Sequence, residues 1–275
     1  MEKALKKHAP IFVLPTFLAF VIGFIIPFAQ GFYLSFCKFT TVGNATFVGI
    51  SNYTAAIKDT SFTSSFKFTV LFAIVSILLI NVLAFGLALL LTQKLKGTNI
   101  FRTVFFMPNL IGGIVLGYIW QILINCLLTI IGQPLLALNS SAGYWGLIIL
   151  MCWQQIGYMM IIYIAGLQNV PDDLIEAAEI DGAGPFKTFL QVIIPVSKPV
   201  FATVFILDYV AYWSDFMWPL LVITDAGKRT VQLGIQTFFT EPPVYYGPIM
   251  AALTIASVPM IIMFLFLQKY YVQGI

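Results

Sequence analysis

The sequence predicts an all-α, polytopic membrane protein, and three observations carry that prediction. Of the 275 residues 60% are hydrophobic, only 9% are charged, and the mean hydropathy is +0.96. A soluble domain is ordinarily about a quarter charged. Several apolar runs pass the ~20 residues that a helix needs to cross a bilayer. On this reading residues 1–275 form a single transmembrane domain with six transmembrane helices, near 11–36, 68–92, 103–125, 144–167, 200–223 and 248–267.

The same numbers exclude several functions. A net charge of +3, dispersed along the chain, gives no basic patch with interleaved aromatics, so no nucleic acid partner is expected. Cys37, Cys126 and Cys152 have no paired spacing, and the only histidine, His8, stands beside the N-terminal lysines. No metal site is predicted from them, and the cysteines read as small apolar fillers.

In chain order, Lys3, Lys6, Lys7 and His8 precede an apolar run too long for a signal-peptide core and without a small-residue cleavage site, which makes it a retained first span. Pro15 and Pro27 mark bends in it. Lys38 to Lys67 is an extramembrane loop with a short helix near Tyr53–Lys58, and its Asn44 and Asn52 triplets are weak glycosylation signals. The second span ends at Lys94 and Lys96. Arg102 opens the third, where Gly113 and Gly117 form a small-xxx-small pair that lets another helix approach closely. Residues 127–143 suit an external connection. The fourth span carries Trp153, Gln154, Gln155 and Tyr158 at bilayer depth, where polar groups face protein or a water-filled path. A polar loop through Asp225, Lys228, Arg229 and Glu241 separates the last two spans.

Six spans put both termini on one side. Nine cations fall on one face (Lys3, Lys6, Lys7, Lys94, Lys96, Arg102, Lys187, Lys198, Lys269) and five on the other (Lys38, Lys58, Lys67, Lys228, Arg229). Positive charge accumulates inside, so both termini and the stretch 171–199 are expected in the cytoplasm.

That stretch, PDDLIEAAEIDGAGPFKTFLQVIIPVSKP, is the charged, turn-rich interior segment. Pro171, Asp172 and Asp173 start a helix, because proline tolerates the first turn and carboxylates suit the positive end of the helix dipole. Gly182 can stop it in a left-handed conformation. Gly184 and Pro185 then start a second short helix, expected to end before Pro195. Two short helices held between two spans can act as a lever. The run Gly182 to Thr188 lacks the glycine before lysine and the preceding strand of a phosphate loop.

Glu176-Ala177-Ala178, three residues, Gly182, nine residues, then Val192, Ile194 and Pro195 resembles the EAA loop of binding-protein-dependent ABC importer permeases, with aliphatic replacements at 192 and 194. The resemblance implies that Glu176, Ala177, Ala178, Asp181, Gly182, Ala183 and Pro195 couple the chain to a separate ATPase. Over nearly the whole chain the resemblance is to carbohydrate importer permeases of the maltose type. FVGISNY at 47–53, FRTVFFMPN at 101–109 and the run 153–171 are similar to the first partner of a permease pair; WSDFMWPLLVIT at 213–224, KRTVQLG at 228–234 and QKYYVQGI at 268–275 to the second. It implies a transport subunit rather than an enzyme, in a bacterial or archaeal inner membrane. Its implied partners are a second permease (hetero- or homodimer), two ATP-binding subunits and an extracytoplasmic sugar-binding protein. No cofactor is implied in this chain; ATP and Mg belong to the partner ATPase.

Asp208 and Asp215 lie in the fifth span, where a lipid-facing carboxylate costs about 2.5–3.5 kcal/mol. Seven residues is almost two helical turns, so both are expected on one stripe with Tyr212. Trp213, Tyr209 and Trp218 surround it, and Gln154 and Tyr158, with Gln155 and Asn109, add amides and a phenol. Carboxylates, amides and aromatic faces suit a carbohydrate path. The competing reading is that the aspartates tie helices together and the aromatics pack. Two rival functions stay open: a proton-coupled secondary transporter, for which intramembrane acids are natural relays, and an ABC permease for a non-sugar solute such as glycerol phosphate.

Overall fold

The computed structural model describes residues 11, 13–93, 96–223, 228–239 and 244–273. Lys3, Lys6, Lys7, His8, Lys94, Asp225, Glu241 and the last two residues of the QKYYVQGI stretch lie outside them. The described chain is helical apart from one two-residue hairpin. Among the described residues five helices are long and apolar enough to cross a membrane: α1 (Val13–Leu34), α3 (Thr60–Thr92), α5 (Gly113–Ile130), α6 (Ser140–Gln168) and α12 (Tyr246–Gln273). A sixth span exists if α8 (Pro185–Val196) and α9 (Lys198–Trp213), bent by 66°, are taken as one.

The chain divides into two compact units. The first, Met1–Thr63 with Ile235–Ser257, contains α1, the hairpin β1 (Cys37–Lys38) and β2 (Thr46–Phe47), and α2 (Ser51–Lys58). Its organising residue is Asn52, whose amide donates to the carbonyls of Ser35 (2.8 Å) and Cys37 (2.9 Å). The strand thus has a partner for carbonyls that the short hairpin leaves over, as buried polar groups require. Gly247 at the start of α12 passes so close to the Cys37 carbonyl and the Asn52 amide that a β-carbon would collide with them. Asn52, which carried a glycosylation triplet, is buried.

The second unit, Ser64–Gly234 with Val258–Ile275, holds a continuous apolar core in which Phe72, Ile80, Leu147, Leu150, Met160, Tyr163, Tyr212 and Trp213 are nearly inaccessible. Two expected spans are broken there. The third is not one helix over 103–125 but α4 (Thr98–Phe106), a 3-10 turn at Met107–Leu110 and α5, with Ile111 and Gly112 extended between them. Pro108 sits in the first turn of the 3-10 segment, where its missing N–H leaves no gap. Arg102 fixes the start of this assembly by donating to the Leu91 carbonyl in the last turn of α3 at 2.8 Å, a site where a cation meets unspent carbonyls and the negative helix end. The fifth span does not run to residue 223: α9 stops at Trp213, and α10 (Met217–Val222) begins after a break. Trp218 of α10 lies over Gly113, 3.6 Å from where a β-carbon would stand, and Leu221 fills the notch at Gly117. The paired glycines therefore receive a helix, as their spacing predicts. The start of α11 (Val231–Gln236) belongs to the same unit, with the Val231 amide donating to Thr69 Oγ1 at 2.7 Å.

Candidate functional site

Between α6 and α9 stands the charged interior stretch. α7 (Asp172–Ile180) has Pro171 as its N-cap and Asp172 and Asp173 in its first turn, and the bond from the Leu174 amide to the Pro171 carbonyl closes that turn at 3.1 Å. Its other end is a Schellman cap. Gly182 has φ +73°, its amide donates to the Glu179 carbonyl (3.0 Å), and the Ala183 amide donates to the Ala178 carbonyl (2.9 Å). That cap needs a left-handed residue at 182 and sets Ala183 against Ala178. Ala178 is the buried member of the helix, while Glu176, Ala177, Asp181 and Gly182 are exposed and Ala183 is half-buried. Two large apolar side chains flank the cap in the open, Ile180 at 80% exposure and Phe186 at 74%. Residues 182–188 follow a helix and enter another, a setting unlike that of a phosphate loop.

The second helix of this stretch does not end before Pro195. α8 widens into a π-helical turn at Phe189–Ile193 and carries on to Val196, leaving Pro195 exposed inside a helical segment. The widened turn adjoins the position where proline's missing N–H opens the ladder. The sharp bend follows at Ser197, just ahead of Lys198-Pro199.

The intramembrane carboxylates do not share one stripe. Asp208 and Tyr212 are one turn apart on α9, whereas Asp215 comes after the helix has ended. Asp215 Oδ1 accepts from the Trp218 amide at 3.4 Å, so this residue helps start α10 instead of extending α9. Its other oxygen is buried with no partner among the described residues. Asp208 is wholly buried. Its carboxylate accepts from Asn81 Nδ2 of α3 (2.8 Å) and from the Tyr212 hydroxyl (3.2 Å), and the Tyr163 hydroxyl of α6 donates to Asn81 Oδ1. Asn81 spends its remaining amide hydrogen on the Ile77 carbonyl (2.8 Å). One chain of hydrogen bonds therefore joins three helices in the core, a role for Asn81 and Tyr163 that no local sequence signal announces.

Trp213 is buried against Tyr209, 5.5 Å between ring centres and nearly parallel, and edge-on to Phe66 at 5.6 Å. These rings line a cleft of about 440 Å³ whose other walls, including Ile77, Phe205 and Met263, are apolar. Nothing there would satisfy a sugar hydroxyl. Of the fourth-span residues, Gln154 is buried with Oε1 unpartnered, Tyr158 is 37% exposed, and Gln155 Oε1 accepts from Asn109 Nδ2 at 3.3 Å. Trp153, exposed, meets Trp120 edge-on at 5.5 Å. Gln154, Tyr158, Asp208, Tyr212, Trp213 and Asp215 therefore do not converge on one surface.

The fold, with its capped turn at Gly182 between α7 and α8, is that of a multi-pass helical membrane protein. The chain belongs to the family described as binding-protein-dependent transport system inner membrane component, whose model matches residues 96–275. It is 37% identical, over 81% of its length and 79% of the relative's, to the probable starch degradation products transport system permease protein AmyD of Thermoanaerobacterium thermosulfurigenes. To the arabinooligosaccharides transport system permease protein AraP of Bacillus subtilis it is 34% identical, over 74% of this chain and 67% of that one. Among solved structures, a bacterial ABC transporter involved in the import of the acidic polysaccharide alginate superposes with a TM-score of 0.78 over 97% of this chain and 96% of that chain, at 18% identity. That likeness speaks for the fold.

Proposed function

We propose that this chain is the permease subunit of an ATP-driven carbohydrate importer, and that residues 171–199 take the stroke of a separate ATP-binding subunit. The observation that carries the reading is the Schellman-capped turn at Gly182, which presents Glu176, Asp181, Ile180 and Phe186 together on the outside of the chain. Large exposed apolar side chains beside carboxylates are what a protein partner covers. Glu176, Ala177, Asp181 and Gly182 make the contact face, Ala178 and Ala183 hold the cap, and Pro195 sits in the arm leading back to α9.

The curated relatives named for starch products and arabinooligosaccharides support a carbohydrate as the solute. The chain would pair with a second permease, two ATP-binding subunits that use ATP and Mg, and an extracytoplasmic binding protein, in a bacterial or archaeal inner membrane. The nine-to-five split of cations supports cytoplasmic termini and a cytoplasmic lever. Within the solute path, Tyr158, Gln154 and Asp215 remain the candidates of choice, since each has exposure or an unspent oxygen. Asp208, Tyr212 and Trp213 brace the bundle.

Proteoliposomes containing the chain with its partner permease and ATPases, and the binding protein outside, should accumulate oligosaccharide only when ATP is supplied. Accumulation by this chain alone, driven by a proton gradient, would overturn the proposal and restore the secondary-transporter reading.

A further inference from the structure

Tyr163 belongs to two networks at once. Its ring packs with Phe85 of α3 (5.2 Å between centres) and Phe201 of α9 (5.1 Å), and Phe85 in turn meets Phe201 (4.9 Å) and Phe189 (5.8 Å). Phe189 is the first residue of the π-helical turn in α8, inside the lever. The Tyr163 hydroxyl leaves this aromatic cluster and donates to Asn81, which holds Asp208. By way of Phe85, Tyr163 thus connects Phe189 of the lever to the polar tie between α3, α6 and α9.

The positions along the chain give the connection a mechanical sense. Tyr163 stands five residues before the end of α6, about 7.5 Å along the axis, and Asp208 ten residues after the start of α9, about 15 Å. These two helices are the ones that enter and leave the lever. Their side chains are tied through Asn81, so separating or sliding them independently breaks those hydrogen bonds. Phe189 lies on the bent arm, and its ring meets Phe85, which packs on the Tyr163 ring. A close-packed cluster passes on displacement because it deforms little.

We infer that Tyr163 is a positioning residue for coupling: its ring takes up movement of the lever through Phe189, and its hydroxyl holds α6 and α9 in register so that both respond as one body. This rests on the proposed docking of the ATPase at 171–199. Removing the hydroxyl alone leaves the ring cluster in place and leaves Asn81 Oδ1 without its donor. The consequence is a lever that is still gripped but whose movement divides unequally between the two helices.

The test uses the assembled transporter in proteoliposomes, with Tyr163→Phe and Phe189→Leu compared with the unaltered chain. The lever's grip is read separately, by disulfide cross-linking of Ala177→Cys to cysteines placed on the ATPase surface. The expected result for Tyr163→Phe is normal cross-linking and normal ATP hydrolysis, with solute moved per ATP lowered about fivefold or more, the lower end of ordinary coupling effects. Phe189→Leu, which thins the ring cluster and leaves the hydroxyl in place, should lower the same ratio. If cross-linking fails in the unaltered chain, the docking site is wrong. If cross-linking succeeds and Tyr163→Phe moves as much solute per ATP as the unaltered chain, the inference about Tyr163 is wrong while the docking site stands. Should Tyr163→Phe not assemble, an unchanged ratio in Phe189→Leu overturns the inference equally.

Discussion

Replacing Gly182 separates the shape of the lever from its surface. A β-carbon at this position meets nothing within 4 Å in the chain, so steric crowding contributes nothing to the cost. What remains is the backbone. At φ +73° an ordinary L-residue costs about 1–2 kcal/mol and a β-branched one more, about 2–3 kcal/mol. Asparagine, which enters the left-handed region readily, costs about 1 kcal/mol or less. With about 1.4 kcal/mol per factor of ten, Gly182→Val lowers the population of the capped turn about 30- to 150-fold relative to alternatives, and Gly182→Asn within about fivefold. Valine and asparagine differ little in bulk. Affinity of the purified permease for its ATPase subunits, titrated in lipid nanodiscs, should therefore fall steeply for valine and slightly for asparagine, with uncoupled ATP hydrolysis following the same order. Equal losses for the two variants would mean that added bulk at the docking face matters and the left-handed turn does not, which refutes the conformational reasoning.

Two stability predictions follow from close approaches. A β-carbon at Gly157 of α6 would run into the carbonyl carbon and oxygen of Phe105 in α4, backbone atoms that cannot rotate away. Gly157→Ala should lower stability by about 3 kcal/mol or more, read as thermal unfolding in detergent. Gly86→Ala in α3, with nothing within 4 Å, should be neutral or stabilising by up to about 1 kcal/mol; similar losses at both positions would contradict the close crossing. Asn52→Ala removes two hydrogen bonds and should cost about 2 kcal/mol in the same measurement, and a loss below about 0.5 kcal/mol would mean that water replaces the amide.

What the sequence made legible depends on how local the signal is. The apolar runs, the acidic start of α7 and the glycine stop at 182 are properties of a few adjacent residues, and the helices stand close to where those residues place them. The breaks at Met107–Gly112 and Ser214–Phe216 fall inside apolar runs, where hydropathy continues although the helix does not. Pro108 and Asp215 were visible there, but a proline or a carboxylate in a membrane segment can equally bend, cap or line a path. The tie through Asn81 was invisible for another reason. Asn81 meets Tyr163 and Asp208 across 82 and 127 residues, and a single asparagine in a long apolar helix carries no mark of its partners. The cost of a carboxylate in lipid says that Asp208 turns inward, not what it meets; of the two readings, a solute path and a tie between helices, its hydrogen bonds to Asn81 and Tyr212 favour the tie.

Once Asp208 is assigned to the tie, the location of a path changes. A route for a hydroxylated solute needs donors, acceptors and ring faces that the protein has not already spent on itself. Around Asp208 they are spent: both Asp208 oxygens, the Asn81 amide and the Tyr163 and Tyr212 hydroxyls are engaged within the chain. The cleft beside Trp213 has room but no polar wall. Among the path candidates the unspent groups are Gln154 Oε1, Asp215 Oδ2 and the exposed Tyr158 of α6. Unspent polar groups within membrane-spanning segments are unfavourable against lipid and turn toward protein or a water-filled path. The second permease proposed above would supply a protein wall for them.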